Sequence, residues 1–196
     1  FLAKNTDDYM VFPEDRANKI AMTDQLAYKW TLSSPDTTLS LKAARNEYYC
    51  YQLGIFANKK TINDVKLKFD DLKTSNGDVI AASKITCFNT DGVNPAGEKF
   101  TKTVNVAQNA VQAMWVGMDI APDQAPGLYT GYAYVNTPSS ASKKVRINLT
   151  VTNDFSADRG DSILLNYSRL RWLNSTLGLD SLNTADYTPI QKISDS

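Results

Sequence analysis

Histidine is absent from all 196 residues of the chain. That absence removes His-based triads, histidine general bases and the commonest zinc ligand sets together. Cysteine is scarce: Cys50 and Cys87 are the only two. One disulfide is the most they can make, and each sits in an apolar strand context where a buried free thiol is the simpler expectation. Net charge is missing as well. Lys plus Arg and Asp plus Glu both total 21, so there is no field to concentrate nucleic acid or anionic lipid, and no basic stripe of the kind a nucleic-acid surface needs. No run approaches the ~18 apolar residues of a membrane span, and no charged segment leading into an apolar one opens the chain. The first residue is Phe1 rather than Met, from which a processed N-terminus is expected, any export signal having gone with it.

What is present is strand chemistry. With 42% hydrophobic residues the chain has enough apolar content for one core plus an appendage. From Trp115 to Val135 the sequence reads WVGMDIAPDQAPGLYTGYAYV. Met114, Val116, Met118 and Ile120 alternate with Ala113, Trp115, Gly117 and Asp119, the period of two expected when one face of a strand is buried. Pro122 and Pro126-Gly127 then stop the strand before Leu128 to Val135 resumes the alternation. Val65 to Asp70 and Val145 to Val151 alternate in the same way, Tyr48 to Ala57 is a long apolar and aromatic run, and Asn76-Gly77 is a turn signal. Leu26 to Ser33 and Leu39 to Lys42 read as short strands around a Ser34-Pro35-Asp36 turn, and Ser83 to Phe88 and Phe100 to Val106 as two more. Residues 1 to 24 read as polar and irregular. The expected fold is therefore all-β: an antiparallel β-sandwich of about nine strands, immunoglobulin- or jelly-roll-like. Helical spacing shows only in Ser168 to Gly178, where Leu170, Leu173 and Leu177 lie near one face. Asn153 to Asp161 is a polar linker, so the sandwich is expected over 1–155 and a short helical connector toward a following domain over 156–196.

Few residues suggest chemistry. Asp70-Asp71, Asp119 with Asp123, and the Asp154, Asp158 and Asp161 of the linker supply carboxylates, but turn and surface roles explain them and the linker lacks EF-hand spacing. No catalytic residue, metal ligand or cofactor is assigned. Arg159-Gly160-Asp161 has the composition of an adhesion motif, which a polar linker also produces by coincidence. Arg45 and Glu47 lie on one side of an extended segment, spaced for an ion pair at the start of a core strand. Sugars stack their C–H faces on aromatic rings, so Tyr48, Tyr49, Tyr51, Trp115, Tyr129, Tyr132 and Tyr134 are candidates for a carbohydrate platform; Trp115, Tyr129, Tyr132 and Tyr134 are singled out. Against that, about half of the aromatics on alternating strands must face the core. Arg169, Arg171 and Trp172 are the candidates for contact with a neighbouring domain.

Ala44-Arg45-Asn46-Glu47 leading into Tyr48 to Phe56, Trp115 to Val135, and the SRLRWLNSTLG segment from Ser168 together resemble the N-terminal β-sandwich region of glycoside hydrolase family 123-like proteins. The resemblance implies a secreted, periplasmic or cell-surface bacterial protein of glycan degradation. It also implies a downstream (β/α)8 barrel that holds an adjacent Asp-Glu pair and acts on N-acetylgalactosaminides. This chain has no Asp-Glu dipeptide, its glutamates being Glu14, Glu47 and Glu98, and no room for a barrel of roughly 200 residues. Tyr187-Thr188-Pro189-Ile190 resembles the start of the family's next domain. The expected role is thus a non-catalytic accessory module partnered by the following domain of the same polypeptide. The alternatives are an independent carbohydrate-binding module with glycans as partners, or a structural or adhesive surface domain. An accessory module should also expose apolar surface around its connector.

Overall fold

In the computed structural model, which describes residues 1–32, 38–177 and 179, the alternating segments become thirteen strands, four more than the sequence pattern suggests. They are β1 (Tyr9–Asp15), β2 (Thr38–Arg45), β3 (Tyr48–Ala57), β4 (Ile62–Phe69), β5 (Leu72–Lys73), β6 (Val79–Ile80) and β7 (Ile85–Cys87). There follow β8 (Asp91–Val93), β9 (Lys99–Thr101), β10 (Val104–Val106), β11 (Val111–Asp119), β12 (Gly127–Thr137) and β13 (Ser140–Phe155). One sheet has the order β1-β3-β11-β7, a second the order β10-β4-β12-β13-β2 with β5 and β6 attached, and β8 and β9 form a separate ribbon. The two large sheets face each other as a sandwich, and the pairing is antiparallel except between β13 and β2.

Three local expectations give way. Residues 1 to 24 are not irregular throughout, because Tyr9–Asp15 pairs along β3 from Tyr9↔Ala57 to Asp15↔Tyr51. Pro13 is tolerated there because β1 is a sheet edge, where one side of the backbone needs no donor. Leu26 to Leu32, the described part of the Leu26 to Ser33 segment, is not a strand; α1 (Tyr28–Thr31) forms instead, placed so that Trp30 is buried. Ser33 and the Ser34-Pro35-Asp36 turn lie outside the described residues, as do Gly178 and Tyr187 to Ile190. Phe100 to Val106 is split into β9 and β10, which join different sheets.

The core lies between the sheets and follows the period of two. Met114, Val116, Met118 and Ile120 meet Tyr129, Ala133 and Val135 of β12 and Val145, Ile147, Leu149 and Val151 of β13 across it. Strand β3 is different, since every one of its ten residues is buried. Tyr49, Tyr51, Leu53, Ile55 and Ala57 face the core; Tyr48, Cys50, Gln52, Gly54 and Phe56 face outward yet are covered. A strand covered on both faces reads as a continuous apolar run instead of an alternating one.

Two segments supply the cover. Over the C-terminal half of β3, residues 16–32 fold back so that Trp30 stacks on Phe12 with ring centroids 4.5 Å apart and planes 1° from parallel. These rings join Met10, Ile20, Phe56, Val111 and Ala113 in a second, smaller core. Gly54 is required beneath: a Cβ there would lie 2.5 Å from Trp30 Cη2. Gln52 holds the segment with both ends of its amide, accepting from Ile20 N at 2.9 Å and donating to Asn18 O at 3.2 Å. Trp30 Nε1 and Lys29 Nζ donate to the buried Glu14 carboxylate, each at 2.7 Å. The N-terminal half of β3 is covered by residues beyond Phe155. That chain turns back onto the first sheet as two 3₁₀ turns, Leu164–Asn166 and Ser168–Asn174, in place of the α-helical spacing read from the sequence.

Candidate functional site

The returning segment and the rim of the first sheet enclose the polar constellation of this chain. Tyr167 packs its ring on Trp115, with centroids 4.8 Å apart. Its carbonyl accepts from Cys50 Sγ at 3.2 Å. Ser168, 1% exposed, donates from Oγ to Tyr48 O at 2.7 Å. Tyr167 and Arg159 both take left-handed backbone, with φ of 55° and 62°, which turns the chain tightly enough to bring these contacts onto neighbouring strands.

Charge pairs complete the attachment. Arg159 donates to Asp119 on β11. Arg171 grips Asp161 with two nitrogens, one at 2.6 Å to Oδ2. Arg171's hydrogen bonds hold the Asp161 carboxyl below the ordinary range, and this lowering persists because the pair is only partly solvated. The Ser162 hydroxyl, and then the backbone N–H groups of Gly160 at 2.9 Å and Ser162 at 2.8 Å, bond the Asp158 carboxylate and lower its pKa too. Both charged side chains of Arg159-Gly160-Asp161 are therefore engaged inside the molecule. The tripeptide is a hinge that fastens the connector, and an adhesion reading would need ends that are instead bound at home.

Between the sheet rim and residues 171–175 lies a cavity of about 330 Å³. Tyr48 and Thr86 lie on its sheet side with Asp119, and Arg159, Arg171 and Trp172 lie on the connector side. Asn174 and Ser175 close its margin. Tyr48 reaches this position across Gly117, where a Cβ would fall 2.4 Å from its ring. Burial pushes the Tyr48 phenol up, so it stays a protonated donor at neutral pH. Sequence reasoning missed the cavity because its walls come from positions 48, 86, 119 and 159–175. Only the tertiary return of the connector brings these together, and no motif links them.

The four aromatics singled out from the sequence do not share a surface. Tyr129 is completely buried, its hydroxyl donating to Ala125 O at 2.7 Å and accepting from Gln124 Nε2 at 2.8 Å. Trp115 faces outward from the first sheet beneath Tyr167. Tyr132 and Tyr134 face outward from the second sheet, their rings 6.3 Å apart, with Lys144 over Tyr132 and Asp70 accepting from Tyr134 at 2.9 Å. Tyr48, Tyr49 and Tyr51 are buried. Of the interface candidates, Arg171 turns inward to Asp161, while Arg169 stacks its guanidinium over the half-exposed Trp172 at 5.2 Å.

Most of the carboxylate candidates are likewise occupied. Asp71 caps the turn at Ala82 N, and Asp119 is paired with Arg159. Among the described residues no group of three or more His, Cys, Asp or Glu is placed to hold a metal, and no helix is long and apolar enough to cross a membrane. Arg45 and Glu47 do not pair. Asn46, at φ 59°, reverses the chain between them, so Glu47 meets Arg16 at 2.6 Å and Ala44 N at 2.9 Å while Arg45 reaches Asn153 O. The cysteines are free and buried. Register explains why: Gly117 pairs with both Cys50 and Thr86, whereas Val116 pairs with Cys87, so the two thiols point to opposite faces of the sheet.

No family model and no curated protein matches this chain. Among solved structures, a family 123 glycoside hydrolase from Clostridium perfringens, studied for glycolipid glycan hydrolysis, superposes with a TM-score of 0.60 at 18% identity over 75% of this chain. The match covers 28% of that enzyme, so the chain spans only about that share of its length, and the likeness is one of fold. The Siglec domain of GspB matches at 11% identity and TM-score 0.37, over 84% of this chain and 76% of that one. The major subunit of Myf fimbriae from Yersinia enterocolitica matches at 10% and 0.38, over 57% and 89%.

Proposed function

We propose that this chain is a non-catalytic accessory sandwich of a bacterial glycoside hydrolase-like protein, secreted, periplasmic or on the cell surface. In this reading its connector docks against a downstream catalytic barrel acting on N-acetylgalactosaminides. The observation that carries the proposal is the contrast within the connector. Ser168, Tyr167 and Arg159 fix it to the sandwich and Arg171 braces it on its own Asp161, while Ile163, Leu164, Leu165 and Leu173 point away with more than half of their surface exposed. A segment held rigid by its polar and aromatic groups, yet showing consecutive leucines to solvent, has the composition of one side of an interdomain contact. The likeness of fold to the sandwich portion of a much longer glycoside hydrolase supports the same reading.

The test is the native gene product. Its intact mass and peptide map should extend well beyond Ser196, and hydrogen exchange at residues 163–173 should be slower in it than in this chain alone. The isolated chain should release nothing from aryl N-acetylhexosaminides. A native product ending near Ser196, equal exchange in the two, or turnover by the isolated chain overturns the proposal.

A further inference from the structure

We propose that the cavity between the rim of the first sheet and residues 171–175 binds one neutral sugar ring, a hexose or N-acetylhexosamine at a glycan end. Its volume of about 330 Å³ lies at the lower end of small-ligand sites, roughly 300–1,000 Å³. That suits a single ring better than an extended chain. Its lining alternates donors and acceptors. Tyr48, Thr86 and Ser175 bring hydroxyls, the first two bonded to each other, and Asn174 its amide NH2, the amide oxygen accepting from Val93 N at 3.1 Å, while Asp119 bonds Arg159 through Oδ1 and keeps Oδ2 as an acceptor.

Charge balance decides against an anion. The two guanidinium groups that line the cavity are each matched by a carboxylate, Arg159 by Asp119 and Arg171 by Asp161, while that of Arg169 lies outside the lining, over Trp172. An anionic ligand would therefore have to displace an existing pair, whereas hydroxyls can join the paired groups without breaking them. Trp172 supplies the apolar element. Its indole is 54% exposed and braced by the Arg169 guanidinium, leaving ring surface for the C–H face of a sugar. The site is distinct from the Tyr132–Tyr134 face on the other sheet, and every lining residue belongs to the described chain. It holds whether or not a barrel follows, so its failure and that of the docking proposal are read separately.

The experiment titrates the full chain with the methyl glycosides of galactose, glucose and N-acetylglucosamine, and with glucuronic acid as an anionic comparator. Two-dimensional NMR follows the three tryptophan indoles, with Trp172 assigned by loss of its signal in Trp172→Ala. At least one neutral sugar should shift the Trp172 indole saturably, with a Kd on the order of 1 mM. Removing the stacking ring should weaken binding about tenfold, read from the backbone amide shifts of residues 171–175 because that variant lacks the indole. Trp172 is not in the core, so that variant should fold; Tyr48→Phe, which deletes one hydroxyl, provides a second loss at the same site. Tyr132→Ala should leave the affinity unchanged. The proposal is overturned by no saturable shift up to about 100 mM, by binding that survives both cavity variants, or by tighter binding of glucuronic acid than of every neutral sugar.

Discussion

Replacing Trp115 with alanine separates two roles for an aromatic that the sequence offered as a sugar platform. In the structure its ring is the seat of Tyr167, and the contact holds the connector down. A tryptophan buries roughly 150–250 Å². Assigning about 100 Å² of that to the connector gives about 2.5 kcal/mol at 25 cal/mol/Å², and the tilted ring pair adds about 0.5 kcal/mol. The sum is near 3 kcal/mol, or roughly a hundredfold in the local opening equilibrium at 1.4 kcal/mol per decade. The ion pair of Arg159 with Asp119 remains, as does the Ser168 bond to Tyr48 O, so the connector should open more often without being lost. Hydrogen exchange by mass spectrometry reads this directly. Peptides spanning 156–174 should exchange about a hundredfold faster, while the β12–β13 hairpin keeps its protection. Unchanged connector exchange, or acceleration spread evenly over both sheets, would refute the assignment of Trp115 to docking.

Three further outcomes follow from buried groups. Tyr51 is fully buried and its hydroxyl has no partner, so Tyr51→Phe should raise stability by about 1 kcal/mol and the melting midpoint by roughly 2–4 °C; a lower midpoint would contradict the orphaned hydroxyl. Burial pushes the Cys50 thiol up to about 12, and Cys87 is shifted the same way. Neither should be alkylated in the native protein at pH 8, and reductant should leave the melting curve in place; rapid modification of either thiol would contradict this. Asp161 is held below its ordinary value of 3.8 by Arg171. A depressed carboxyl stabilises the folded state above its unfolded pKa and loses that contribution as pH falls through the folded one. The Trp115 and Tyr167 ring signals should accordingly stay fixed down to about pH 4 and shift only below it, and Asp161→Asn should remove that acid step.

The sandwich was legible because its signal is local. Alternation from Ala113 to Ile120 and from Val145 to Val151 states which side chains face inward, and the structure places those residues in the core. What stayed hidden depends on partners distant in sequence. The continuous run of β3 signals burial on both faces without naming the cover. Trp30 folds over Gly54 although its own segment has no strand partner, so an aliphatic and aromatic stretch that resembles a strand becomes a helical turn. Tyr9–Asp15 is hard to read as a strand because Pro13, Glu14 and Asp15 follow its apolar residues, a pattern that suits an edge strand whose carboxylates meet Lys29, Trp30 and Tyr49. The aromatic candidates failed as a group for a geometric reason. Trp115 and Tyr132 sit on strands of different sheets, and in a sandwich the outward faces of different sheets point away from each other.

The connector's construction bears on what such a module can do. Ion pairs that are partly solvated contribute little to stability, but a bidentate arginine fixes geometry strongly. Arg171 on Asp161 therefore fixes the shape of the segment itself, while Arg159 on Asp119 and Tyr167 on Trp115 tie it to the first sheet. Because Asp119 closes β11 and Tyr48 opens β3, both anchors lie at one end of the same sheet. The two leucines at 164 and 165 are thereby presented at a fixed angle to the sandwich axis. A flexible tether would need neither the left-handed residues Arg159 and Tyr167 nor the glycine at 160, where a Cβ would fall 2.6 Å from Ser168 Oγ. The sequence carries all three, so the segment is built to hold one orientation on the first sheet.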